Sequence, residues 1–366
     1  MTGGESGPPE PGPPAPDPSG NEPAELRAPD DPAGLDPVPE VVGPTRPGLR
    51  TFSLDGRRAP GLYLVGWLAS LIGAATIFVV LLAQPSDVAG AILLGAGTFV
   101  LALGLAAAAG SQAIERQADG RLAYRGPSPF ILFGAYVALT LLLELLAFPP
   151  LQALHVPAGG ALEALVDLVL LNGGAVVLVA ALVVGSGSLS WREMGVPVRA
   201  GRDGSAGTPL AGLLRDLLEG MLLAVPILFV TLLLGGILIQ LLGTTPPGPL
   251  PVAQTTGEAV LNLVSGILIA PLGEELFYRG FATTAWVRGM GARAGILRGA
   301  LLFCVAHVLT LSGTPPAALI AFVTRLPVAI ALGWIFVKRG SLASSFGLHA
   351  MFNAIPLILV GLAVGT

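Results

Sequence analysis

Charge is what this sequence has least of: only 11% of its 366 residues are Asp, Glu, Lys or Arg, against about 25% in soluble domains. With 53% hydrophobic residues and a mean hydropathy of +0.78, a wholly water-exposed surface is excluded. The single cysteine, Cys304, excludes an intrachain disulfide. It stands in an apolar run and reads as a small packing residue. There are three histidines, few enough that each one has to be accounted for. The zinc-protease spacing HExxH is absent. The amino-terminal segment also lacks the basic start and apolar core of a cleavable signal peptide.

The net charge of -4 hides an asymmetry, because nine of the 23 carboxylates fall between Glu5 and Glu40. Residues 1–58 are rich in Pro, Gly, Asp and Glu and almost without aromatics. Such a composition cannot bury enough apolar surface to offset its ordering entropy. It is expected to be a disordered acidic tail, with a Pro-rich docking segment as the alternative. Nucleic acid is not among the expected partners.

Beyond Arg58 the chain turns apolar. Continuous runs cover about 61–83, 88–110, 130–152, 162–185, 217–242, 258–273, 296–311, 317–337 and 341–363, several of them near the ~20 residues that span a bilayer as a helix. They are continuous rather than alternating, which predicts helices. Their abundant glycine suits close packing between membrane helices. The sixth run is interrupted by Pro271 and Gly273 and is expected to continue as a helix towards Trp286.

Basic residues flank alternate ends of these runs. Arg46, Arg50, Arg57 and Arg58 precede the first. Arg116, Arg121 and Arg125 follow the second. Arg192, Arg199, Arg202 and Arg215 follow the fourth, Arg279, Arg288, Arg293 and Arg298 the sixth, and Lys338 and Arg339 the eighth. The links at 84–87, 153–161, 243–257 and 312–316 have none. Positive charge stays on the cytoplasmic side. The fold class is therefore all-α, a polytopic transmembrane helical bundle of about nine spans (eight to nine). Its amino terminus is expected in the cytoplasm and its carboxyl terminus on the far side, with the cell membrane as its location. Three segments follow: the tail (1–58), amino-terminal transmembrane helices (59–189) and a core (190–366).

Ionisable groups are costly inside a membrane and are functional candidates by default. The last third concentrates them: Glu274, Glu275 and Arg279 in GEELFYRG, Phe303 and His307 in FCVAH, and His349 and Asn353 in HAMFN. Residues four apart share a helix face. Glu275 and Arg279 are thus expected to pair, leaving Glu274, about 100° away, to face a reactant. His349 and Asn353 share a face, and so do Phe303 and His307. At ~1.5 Å per residue, Glu274, His307 and His349 fall in one layer about 6–16 Å below the cytoplasmic surface. A carboxylate and an imidazole around a water form a general-base pair. A second imidazole with a carboxamide supplies donors to an oxyanion. The same groups could instead hold a divalent metal such as zinc, and the spacing leaves both versions open.

These motifs, EExxxR, FxxxH and HxxxN in this order, resemble the CAAX-protease and bacteriocin-processing family (CPBP, or Abi) of intramembrane endopeptidases. The stretches SLSWREMGV and GWIFVKRGSLASSFGLHAMFN agree with it. The resemblance covers about residues 190–356 and leaves the acidic tail and the extra amino-terminal helices unexplained. It implies Glu274 as catalytic base, His307 as its partner on the water, His349 and Asn353 as oxyanion stabilisers, and Glu275 with Arg279 as a supporting pair. If a metal is bound, Glu274, His307 and His349 are its implied ligands. The implied substrates are prenylated CAAX-like or other membrane-associated peptides and proteins, entering from the cytoplasm.

Against the catalytic reading stands a plain one: interfacial charges that snorkel, and histidines that bond between helices. Under it the chain would be a non-enzymatic transporter or an immunity or scaffold protein. The two halves show no internal repeat of the kind common in transporters. His155 reads as a solvated link residue, and Phe303 as packing. Glu144 and Arg325 are expected to pair with each other or to line the cavity. A contact from Arg325 to a substrate carboxylate is the remaining option.

Overall fold

The computed structural model describes residues 53–85, 88–197, 209–309 and 313–364. Residues 1–52 of the acidic segment lie outside the described residues, as do Arg199 and Arg202. Among the described residues nine helices are long and apolar enough to cross a membrane. They are α1 (Pro60–Ala83), α2 (Val88–Gln117), α3 (Pro129–Ala153), α4 (Ala161–Val184), α5 (Leu210–Leu242), α6 (Thr256–Met290), α7 (Ala292–Leu309), α8 (Pro315–Arg339) and α9, whose helix runs Leu342–Val364. The described residues form helices joined by turns and links, with no strand among them, and each predicted run has become one helix.

Lipid fixes the outer faces. α1 turns Leu71, Ile72, Phe78, Val79 and Leu82 outward, which in a bilayer is the low-energy arrangement because acyl chains are as apolar as leucine. α1 and α2 form a hairpin at the edge of the bundle, and α2 leads into α3. α6 is central and packs on α4, α7, α8 and α9, while α5 flanks α8 and α9. Half of the hydrophobic window of α6 is buried, against 17% for α1. The main core cluster joins Leu132 and Tyr136 of α3, Val179 of α4, Phe277 and Phe281 of α6, and Phe303 and Cys304 of α7. Cys304 is fully buried there, in keeping with a packing role.

The sixth run is longer than its hydropathy suggests. Pro271 lacks an N–H, and its ring crowds the carbonyl one turn earlier. The helix absorbs this by widening to π geometry over Ser265–Ile269 instead of breaking. A second wide stretch, Glu275–Thr283, begins directly after Glu274. Such insertions are uncommon and recur at functional sites.

The turn between α8 and α9 is short. Gly340 adopts φ +60° as the C-cap of α8, a conformation that costs other residues more than glycine. Its N–H bonds to the Phe336 carbonyl at 2.8 Å, and the Leu342 N–H bonds to the Gly195 carbonyl at 2.9 Å. The start of α9, seven residues before His349, is thereby tied to the link that precedes α5.

α5 meets α9 through glycine. A Cβ on Gly220 would run into the Ser344 carbonyl, and one on Gly347 into the Leu217 carbonyl. Gly220→Ala should therefore lower stability by about 1–3 kcal/mol through overpacking. Gly212→Ala, where a Cβ meets nothing within 4 Å, should be neutral or slightly stabilising. Thermal melting of both variants in detergent checks the difference.

Candidate active site

The centre of the site is a buried ion pair. Arg279 Nη1 lies 3.0 Å from Glu275 Oε1, and each residue is only 1% exposed. Both stand on the wide stretch of α6, where a turn holds more than 3.6 residues, and the arginine's reach keeps the pair closed. On the same Glu275 Oε1 falls His349 Nδ1 of α9, at 2.8 Å. A carboxylate accepts only, so Nδ1 carries the proton and donates. The Arg279 guanidinium also lies over the Phe303 ring, 4.3 Å from its centroid.

Glu274, one residue earlier, faces elsewhere. Its Oε2 lies 3.6 Å from His307 Nε2 and 3.9 Å from His349 Nε2, and it has no hydrogen-bond partner although buried. His307 Nδ1 lies 2.9 Å from its own helix's Phe303 carbonyl. That oxygen only accepts, so Nδ1 bears the proton and Nε2 presents its lone pair towards Glu274. Three helices thus bring Glu274, His307 and His349 to one point. Phe303 packs between the two imidazoles, its ring centroid 4.2 Å from that of His307 and 5.8 Å from that of His349. It is 2% exposed and holds both rings by contact.

Asn353 is placed differently. It shares a face of α9 with His349, and its Nδ2 donates one proton to the Gly266 carbonyl of α6 at 2.9 Å, which leaves its second Nδ2 proton free of that bond. The expected pairing of Glu144 with Arg325 is not formed. The Arg325 Nη1 donates to the Ala321 carbonyl at 3.0 Å, and the electrostatic neighbour of Glu144 is Asp167. Hydropathy places two residues at similar depths but does not fix the rotation of their helices. His155 is exposed in the α3–α4 link, as read.

Two contributors come from helices that motif reading did not reach. Tyr136 of α3 stacks on Phe277, with centroids 4.8 Å apart. Asn172 of α4 is 7% exposed, and its carboxamide packs against Gly273, where a Cβ would collide with Oδ1. Its Nδ2 donates to the Leu168 carbonyl, and its Oδ1 is buried without a partner. An asparagine inside an apolar run was the signal that could have found it.

Outside the membrane a polar clamp holds the end of α6. Arg288 donates to Glu193 Oε1 at 2.8 Å, and the Ser190 N–H and hydroxyl donate to Oε2 at 2.6 and 2.7 Å. Burial raises the pKa of Glu193, but these hydrogen bonds and the Arg288 charge outweigh it and hold the carboxyl below its ordinary range. The clamp is therefore complete at neutral pH and is lost as pH falls through that lowered value.

The resemblance raised a metal held by Glu274, His307 and His349. Among the described residues no group of three or more His, Cys, Asp or Glu side chains is arranged to hold a metal ion. The Nδ1 atoms, bonded to Glu275 and to the Phe303 carbonyl, fix the two imidazole rings and leave both Nε2 atoms facing Glu274. The arrangement suits proton transfer: one carboxylate with two imidazole nitrogens turned towards it, in a pocket that excludes most water.

Removing one partner of a buried ion pair leaves the other charge uncompensated, at a cost of about 3–5 kcal/mol. Arg279→Met should lose stability on that scale, and Arg279→Met with Glu275→Gln should recover much of it. Melting temperatures of the single and double variants check the coupling.

Residues 256–355 match a family model described as Rce1-like, type II CAAX prenyl endopeptidase. The match runs from the start of α6 into α9 and contains Glu274, Glu275, Arg279, His307, His349 and Asn353. No curated protein and no solved structure matches the chain.

Proposed function

With residues 256–355 forming a domain of the Rce1-like, CAAX-type endopeptidase family in a multi-pass membrane protein, we propose that Glu274 is the base of an intramembrane peptide hydrolysis. The observation that carries this reading is the convergence of Glu274, His307 and His349 from three helices, with Glu274 buried and its Oε2 without a hydrogen-bond partner. Separations of 3.6 and 3.9 Å are too long for direct hydrogen bonds and suit a bridging water.

The water gives one proton to the Glu274 carboxylate and hydrogen-bonds through the other to His307 Nε2. Its oxygen attacks the carbonyl carbon of the scissile bond. The tetrahedral oxyanion needs donors. The His349 Nδ1 proton is engaged by Glu275, so His349 can donate from Nε2 only when both nitrogens are protonated. The free Nδ2 proton of Asn353 is the second donor. Protonated Glu274 then passes its proton to the leaving nitrogen, the C–N bond breaks, and the amine leaves; the new carboxyl group gives the water's second proton to His307 Nε2 and departs as a carboxylate. Arg279 acts through Glu275 and Phe303 and is a positioning residue. This scheme uses side chains alone.

Prenylated CAAX-like peptides are the first substrates to test, and other membrane-associated peptides, bacteriocin precursors included, the next. Glu274→Gln should reduce cleavage by about 100-fold or more while leaving the melting temperature near that of wild type. Equal turnover by the two proteins would overturn the role of Glu274.

Orientation belongs to the same proposal: amino terminus and site entrance in the cytoplasm of a cell whose plasma membrane holds the protein. A reporter fused after Thr366 should be active outside the cytoplasm. A cytoplasmic signal there would reverse the assignment.

A further inference from the structure

Pro271 interrupts the bonding of α6 three residues before Glu274. Over Ser265–Ile269 the backbone bonds in π geometry, and the Ala270 N–H reaches back five residues to the Ser265 carbonyl. The next bond of that series would run from residue 271 to the Gly266 carbonyl, but proline has no N–H to give. Gly266 is buried, and a buried carbonyl left without a donor costs free energy. Here the donor comes from another helix: Asn353 Nδ2 of α9 lies 2.9 Å from that oxygen. The carbonyl only accepts, so it is the amide nitrogen that faces it. Asn353 thus stands in for the N–H that Pro271 lacks.

This exchange of donors fixes the Asn353 side chain. The amide group is planar, so holding one Nδ2 proton on the Gly266 carbonyl sets the direction of the other. Without that bond Asn353, which is only partly buried, could turn to other side-chain rotamers. A donor to an oxyanion works by being in place before the charge develops. We propose that Pro271 is a positioning residue: by withholding a backbone donor from Gly266, it keeps the Asn353 carboxamide on that carbonyl and the second Nδ2 proton aimed at the oxyanion. This rests on the endopeptidase reading and adds to it a residue that acts only through Asn353. The proline is then part of the site rather than a bend in a helix.

Two measurements on full-length protein in detergent test this, using Pro271→Ala, which restores the N–H, Asn353→Ala and the double variant. The first is thermal melting. Asn353→Ala leaves the Gly266 carbonyl without a donor and should melt below wild type. Adding Pro271→Ala supplies the backbone donor and should return most of that loss. A double variant that melts no higher than Asn353→Ala overturns the exchange of donors. The second is turnover of a fluorogenic farnesylated CAAX peptide. Pro271→Ala should lower kcat by about 10- to 100-fold with KM near that of wild type, and Asn353→Ala should lower kcat at least as far. Because Pro271 acts through Asn353, the double variant should be no slower than Asn353→Ala. Losses that multiply in the double variant overturn the positioning role, as does a Pro271→Ala protein with wild-type kcat. A general folding defect would give the opposite pattern in both measurements, with the double variant both less stable and slower than Asn353→Ala. Failure of the wild-type protein to cut the peptide counts against the endopeptidase reading, whereas the melting comparison decides the link between Pro271 and Asn353 on its own.

Discussion

Everything at the heart of this bundle depends on one carboxylate oxygen. Glu275 Oε1 accepts from Arg279 on its own helix and from His349 on α9, in surroundings where an unmatched charge would cost several kcal/mol. The demand for neutrality makes the arrangement specific. α9 cannot rotate without withdrawing His349, and α6 cannot straighten without moving Arg279 off Phe303. α7 is held in turn, because Phe303 is wedged between Arg279 and both histidines. Polar groups that a membrane protein should avoid thus become the contacts that fix its helices in register.

The same arrangement divides the labour between adjacent glutamates. Glu275 Oε1 is occupied by Arg279 and His349, so this carboxylate is held as a structural group. Glu274 is left facing the Nε2 atoms of two imidazoles. The wide turn of α6 that starts here sends two neighbouring residues to different partners, one to a structural bond and one to the reactive space. Glycines at the α5–α9 contact and at the α8–α9 turn then bring α9 close enough for His349 to reach across.

Much of this was legible before any coordinates. Nine apolar runs and an alternating arginine pattern mark nine helices, because lipid leaves the backbone no alternative to satisfying itself. The Glu275–Arg279 pair and the Phe303–His307 contact follow from four-residue spacing. The rest depends on rotation and backbone detail that spacing does not encode. Hydropathy cannot show that α6 widens after Glu274, nor that Asn353 turns to the Gly266 carbonyl. It also cannot show that Glu144 and Arg325 face different neighbours. Asn172 and Tyr136 escaped notice because their partners, Gly273 and Phe277, lie a hundred or more residues away.

Those last contacts bear on how such a chain could be taken apart or recombined. The family match begins at residue 256, but the floor beneath Gly273 is the Asn172 carboxamide, and the wall beside Phe277 is the Tyr136 ring. A fragment begun at Leu210 would turn both surfaces towards acyl chains, with nothing packed against the helix just before Glu274. A chimera that took its last four helices from this protein would inherit the chemistry without its support. To work, the graft would have to carry these two residues of α3 and α4 along with the motifs.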